Sequence, residues 1–161
     1  MKKEYLIILS CLVFQFSIVF SQLSQKTISS LDESVKEYKK YSKTFFNYYN
    51  NLPLVSAPET QEVAEAQVLA RWINDINVYN ERMQNVLFLY RLMKCREDKT
   101  TLLNDAQFEL ESNLMYYEHA LFSLQHIANS YSNPNVIYHL NGLRKILEDY
   151  LTEYEKYSKK K

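Results

Sequence analysis

Glycine and proline, the residues on which tight turns depend, are almost absent from this chain. Its 161 residues include one glycine, Gly142, and three prolines, Pro53, Pro58 and Pro134. A sandwich or barrel of β-strands needs many turns, and these residues supply most of them. The scarcity therefore predicts an all-α fold with few connections.

The N-terminal segment has the pattern of an export signal. Two lysines, Lys2 and Lys3, precede the mostly apolar and uncharged run 6–20. The run ends in Val19-Phe20, and Ser21 follows it. Small or β-branched residues at the third and first positions before Gln22 match a signal-peptidase site, so we predict that residues 1–21 are a signal peptide. A membrane-spanning helix needs about 20 apolar residues, and this run is shorter.

Two other interpretations of the N-terminal segment stay open. Ile8-Leu9-Ser10-Cys11 is similar to a lipobox, although only the short run 6–9 would precede its cysteine as a hydrophobic core. The segment could also stay uncleaved as an anchor. The cleaved signal fits the pattern best and predicts a periplasmic or secreted protein, in either a bacterial or a eukaryotic host.

The mature chain, residues 22–161, is long enough for one domain with a hydrophobic core. Removal of Lys2, Lys3 and Glu4 changes the balance of 19 basic and 19 acidic residues to 17 and 18, a net charge of −1. Because this charge does not attract nucleic acid, we expect no nucleic-acid partner. Cys95 is the only mature cysteine, so it is either a thiol without a role or one half of an intermolecular disulfide.

Apolar residues recur three and four positions apart in four segments of the mature chain. This spacing places them along one face of a helix, which then packs against its neighbours. We expect the core to include Leu31, Ile76, Leu110 and Leu143. The predicted helices cover about 24–51, 57–95, 99–131 and 134–158.

Local chemistry marks most of the helix ends. The prolines of segment 53–58 interrupt a helix, and Ser56-Ala57-Pro58-Glu59 has the spacing of a capping box. Asn133 before Pro134 predicts an N-cap with proline in the first helical position. Between the second and third helices we expect a turn near 96–100, with Asp98 or Thr100 as the cap. Short connections make successive helices antiparallel, which predicts an up-down four-helix bundle with coiled-coil-like packing.

The chain lacks the common patterns of catalytic and cofactor sites. A phosphate-binding loop needs several glycines, whereas Gly142 stands alone inside a predicted helix, where it allows close contact with a neighbour. No histidine lies near Cys95 in sequence, and neither Glu-x-x-His nor Cys-x-x-Cys-His occurs. We therefore predict a protein that is not an enzyme and has no catalytic, cofactor or metal site.

The third predicted helix has a second non-polar face. This face lies roughly 150° from its core stripe at 100° per residue, and the end of the second helix shows a similar one. Antiparallel pairing would bring the two faces together. The candidate interface consists of Phe88, Leu89, Leu92, Phe108, Met115, His119, Phe122 and His126.

Three interpretations of this candidate interface are open. Other helices could bury it, or it could be a protein–protein surface, because monomers seldom expose a large apolar patch. It could also hold a soft metal through Met115, His119 and His126. The metal interpretation is the weakest, because His126 lies about 10 Å along the helix axis from His119.

Three functions remain as hypotheses, and an enzyme is the third of them. The first is an exported interaction module that binds a protein partner or a second copy of itself. The alternative is a carrier or sensor that holds a hydrophobic or haem-like ligand inside the tyrosine-rich bundle. Haem would need a methionine, Met83, Met93 or Met115, opposite His139.

Overall fold

The computed structural model describes residues 24–53, 60–92 and 100–158. Within these residues it contains four helices and no strand, which confirms the all-α prediction. The signal peptide, the capping box at 56–59 and Cys95 lie outside the described residues. The helices are α1 (Gln25–Asn50), α2 (Gln61–Leu92), α3 (Thr100–Ala128) and α4 (Pro134–Ser158).

Side-chain caps start three of these helices. The hydroxyl of Ser24 accepts a hydrogen bond from the backbone N–H of Thr27 (3.0 Å) at the start of α1. At the start of α4, Asn133 Oδ1 accepts from the N–H of Val136 (3.3 Å), so the predicted cap before Pro134 is confirmed.

The start of α2 differs from the prediction. We expected this helix to begin near residue 57, but Thr60 is not helical and α2 begins at Gln61. The Thr60 hydroxyl accepts from the N–H of Val63 (3.3 Å) and so acts as the cap. Helix α3 begins at Thr100 itself, and the Asp98 alternative for its cap lies outside the described residues.

Contacts at opposite ends of the bundle show how the helices run. The Tyr48 hydroxyl, late in α1, donates to Glu62 Oε1 early in α2 (2.7 Å). Asp32, early in α1, forms an ion pair with Arg91 late in α2 (3.1 Å). These two helices are therefore antiparallel. In addition, Asn135 of α4 donates to Glu62 (3.2 Å), so the start of α4 lies beside the start of α2.

The core follows the apolar stripes of the sequence. Leu31, Ile76, Leu110 and Leu143 are all buried, as predicted. All four helices contribute to one hydrophobic cluster, and each helix contacts the next, with α4 also packed against α1. None of the described helices is long and apolar enough to cross a membrane.

A layer of polar side chains crosses the middle of this apolar core. The Tyr38 hydroxyl of α1 donates to the carbonyl of Ile73 (2.6 Å), and the Tyr150 hydroxyl of α4 donates to Asn80 Oδ1 of α2. Burial raises the pKa of both tyrosines. Asn113 of α3 is also buried, but no described residue offers its side-chain amide a hydrogen-bond partner.

We expect Asn113→Leu to raise the free energy of unfolding by about 1–2 kcal/mol. Leucine has nearly the same shape as asparagine, and the substitution removes a buried amide to which no residue in the described part of the chain forms a hydrogen bond. Urea denaturation measures the change. The matched substitution Asn80→Leu should lower stability, because it removes the acceptor for Tyr150. If both substitutions destabilise to the same extent, the Asn113 amide makes an equivalent bond and the prediction is wrong.

A buried carboxylate attaches the last connection to α2. Glu65 accepts hydrogen bonds from the backbone N–H groups of Ser132 (3.0 Å) and Asn133 (3.1 Å). Gln61 donates a third bond to the same carboxylate (2.9 Å). Because charged acceptors form strong hydrogen bonds, these contacts fix the turn between α3 and α4 against the start of α2.

Gly142 allows α4 to approach α1 closely. A Cβ atom at this position would lie 3.2 Å from Cε2 of Tyr41. The hydroxyl of Tyr41 donates to the carbonyl of His139 (2.8 Å), which holds the ring in that position. The prediction that Gly142 permits a close helix contact is therefore confirmed.

Candidate functional site

Large apolar side chains are exposed mainly on two adjacent helices. Three of them, Phe108, Met115 and Phe122, are spaced by seven residues on α3, so they lie in one row along its outward face. They are 70%, 71% and 60% exposed. We call these three side chains the α3 row. The others are Val68, Val78, Phe88 and Leu92 on α2 and Tyr138 on α4.

Both predicted histidines lie beside the α3 row and are exposed. The His126 ring contacts Phe122 edge to face, with ring centroids 4.5 Å apart. The ring of His119 lies 6.5 Å from that of Trp72 on α2. His119 therefore marks the border of the row toward α2, and His126 extends the non-polar surface near the end of α3.

The helices on either side of α2 are identified by its contacts. Gln84 and Arg91, seven residues apart, contact α1 through Lys39 (3.1 Å) and Asp32 (3.1 Å) respectively. On a different side of α2, Trp72 and Tyr79 contact aromatic rings of α3.

The α2 members of the candidate interface do not all join the α3 row. Phe88 follows Gln84 by four residues and precedes Arg91 by three, so it lies on the side of α2 that contacts α1. Phe88 therefore points away from α3, and the expectation that the second non-polar faces of α2 and α3 form one patch is wrong for Phe88. Leu89 is half-buried and packs against the core, whereas Leu92 is exposed. The sequence did not show which side of α2 would receive α1.

A groove between α3 and α4 opens beside the α3 row. Met115 belongs to both the row and the groove. Apolar side chains form much of the groove lining, and three carboxylates lie among them. The remaining lining residues are Glu111, Leu114, Glu118, Leu151, Tyr154 and Glu155.

The charge of α3 has one sign. The helix carries four carboxylates, on Asp105, Glu109, Glu111 and Glu118, and neither lysine nor arginine. Each of the other three helices carries at least three basic residues. Helix α3 itself therefore presents negative charge around the row, which favours cationic groups. Arg82 of α2 also lies on the side toward α3, over the ring of Tyr79 (5.1 Å).

The metal interpretation gains no support from the arrangement of donors. Within the residues that the structure describes, no three histidine, cysteine or acidic side chains come together as a metal site would require. His119 and His126 instead contact aromatic rings. Met93 and Cys95 lie outside the described residues.

The residues considered for a haem-like ligand are separated in the structure. Met83 is completely buried, and Met115 is on the outer surface of α3. The His139 ring stacks on Tyr48 (4.7 Å between centroids) and meets Phe45 edge to face (5.4 Å). Burial lowers the pKa of this histidine. The histidine thus belongs to an aromatic cluster between α1 and α4.

No protein-family model, curated protein or solved structure matches this chain. A proposal about its function therefore has to be supported by its own residues and their geometry.

Proposed function

We propose that this protein is an exported interaction module, without enzymatic activity, that binds a protein partner through the α3 row. The exposure of Phe108, Met115 and Phe122 in one line carries this proposal. Aromatic and methionine side chains are enriched at protein interfaces, and burying them against a partner removes apolar area from water. His119, Phe122 and His126 extend the contact toward the end of α3.

The export part of the proposal is supported by the N-terminal sequence. The lysine pair, the apolar run 6–20 and the cleavage pattern before Gln22 together favour a cleaved signal. The protein would then act in the periplasm or outside the cell, as a four-helix bundle with coiled-coil-like packing. We expect the protein isolated from its native host to begin at or near Gln22, and intact-mass measurement checks this. A soluble cytoplasmic protein that retains Met1 would contradict export.

We expect Phe122→Glu to abolish partner binding and to leave the melting temperature nearly unchanged. Phe122 is largely exposed, so a charge at this position needs no burial in the fold, but it would be buried against a partner. Phe88→Glu is the matched control, since Phe88 is similarly exposed (56%) and lies on the side of α2 toward α1. Thermal unfolding of both variants measures their melting temperatures, which should stay close to that of the wild type.

A photo-crosslinking amino acid at position 115 detects contact between the α3 row and a partner in the native host. We expect a discrete crosslinked species that disappears with Phe122→Glu and persists with Phe88→Glu. If Phe122→Glu lowers the melting temperature strongly, the side chain belongs to the core. The proposed interface would also be refuted if no crosslink forms at position 115, or if the crosslinked species persists unchanged in the Phe122→Glu variant.

A further inference from the structure

We propose that the partner presents a basic amphipathic helix, which lies along the α3 row and places a lysine or arginine in the groove between α3 and α4. This inference rests on the proposed function and adds the chemistry of the partner. Three observations support it: the spacing of the row, the lining of the groove and the distribution of charge over the helices.

The spacing of the α3 row matches a helix. Phe108, Met115 and Phe122 repeat every seven residues, which is two helical turns, and together they extend about 21 Å along the axis. A partner helix with apolar residues at the same repeat can contact all three side chains. About three heptads are enough to cover this length.

The groove suits a long cationic side chain. Leu114, Met115 and Leu151 supply apolar surface for the methylene groups of lysine or arginine. Glu111 and Glu118 supply carboxylates for the charged end. Lysine and arginine side chains combine these two properties, because an apolar stem carries a charged head.

The charges favour a foreign helix over a second copy of this chain. Two α3 helices would bring eight carboxylates together without a lysine or arginine from either helix. Helix α1 carries five lysines, but none of the large apolar side chains that the structure shows as exposed lies on it. Helix α2 has exposed apolar residues, but it carries four acidic and three basic residues. Helix α4 exposes Tyr138 but carries four acidic and three basic residues. None of the four described helices therefore combines an exposed apolar stripe with a net positive charge that would complement α3.

Binding of synthetic peptides to the purified mature protein tests the inference. The probe is a helical peptide of about three heptads with leucine at the first and fourth positions and lysine at the flanking positions. The comparison peptides carry glutamate in place of lysine or have the same composition in scrambled order. Isothermal titration calorimetry should show binding of the lysine peptide, no binding of the glutamate peptide, and at least tenfold weaker binding of the scrambled peptide.

Paired substitutions separate the local carboxylates from the overall charge of the protein. The double variant Glu111→Gln and Glu118→Gln should lower the affinity for the lysine peptide about three- to tenfold. The matched control is Glu37→Gln and Glu81→Gln, which neutralises two exposed carboxylates on α1 and α2 and should change the affinity less than twofold.

The results that would overturn the inference are distinct from those that would refute the interface. Equal affinities for the lysine and glutamate peptides would show that the α3 row does not prefer a basic helix. Equal losses of affinity in the two double variants would show the same. If the lysine peptide fails to bind while position 115 still crosslinks in the host, the proposed function stands and the partner chemistry is wrong. A crosslink between two copies of this chain would likewise overturn the basic-helix inference.

Discussion

We expect Leu143→Pro to abolish the cooperative unfolding transition. Leu143 is completely buried in the interior of α4, where its backbone N–H bonds to the carbonyl of His139, one helical turn earlier. Proline removes this bond and its ring collides with that carbonyl, at a cost of about 3 kcal/mol or more. The same carbonyl also accepts a hydrogen bond from Tyr41 of α1, so displacing that carbonyl weakens this bond between the two helices as well.

Circular dichroism during urea denaturation measures this effect. A small domain is stable by only about 5–15 kcal/mol. The proline penalty, the lost hydrogen bond and the missing leucine side chain, which alone is worth about 2–5 kcal/mol, together are comparable to that margin. Leu143→Ala is the control, since it truncates the same side chain and keeps the backbone bond; its transition should move to lower urea but stay cooperative. A sharp transition for Leu143→Pro at the wild-type midpoint would contradict the placement of Leu143 inside a packed helix.

We expect Leu110→Ala to lower the free energy of unfolding by about 2–5 kcal/mol. The side chain is 1% exposed and lies in the cluster to which all four helices contribute, so its truncation leaves a cavity. Phe108→Ala, two residues earlier on the same helix, is the matched control. Phe108 is 70% exposed, and its truncation should change stability by less than about 0.5 kcal/mol.

The pair of α3 variants also tests the basis of the proposed function. Chemical denaturation of both proteins gives the two free energies on one scale. If Phe108→Ala destabilises the protein as much as Leu110→Ala, both sides of α3 are in a core, and the α3 row is not a free surface. If neither variant loses stability, α3 does not pack as the structure shows.

The fold was accessible from the sequence because its main signals are local. Leu31, Ile76, Leu110 and Leu143 belong to stripes whose spacing depends only on helix geometry, and each is buried. The cap of α4 was also accessible, because Asn133 and the proline after it act on adjacent backbone groups. Signals of this kind need no knowledge of the neighbouring helices.

Other features depend on contacts between distant segments. Glu65 binds the N–H groups of Ser132 and Asn133, and nothing in the sequence around either segment indicates this pairing. The placement of Phe88 failed for a related reason. The helical period shows that Phe88 faces away from part of the core, but only the arrangement of the helices shows that α1, and not α3, lies on that side.

The position of Trp72 gives the protein an optical reporter of its own. Trp72 is the single tryptophan of the chain, it is half-buried, and its ring lies 6.5 Å from His119 at the border of the α3 row. Indole emission moves to shorter wavelengths when water is excluded from the ring. A molecule that covers His119 should therefore change the intrinsic fluorescence of the unlabelled protein. Because one indole produces that signal, it reports on one known place, and occupancy of the α3 surface can be followed without a dye.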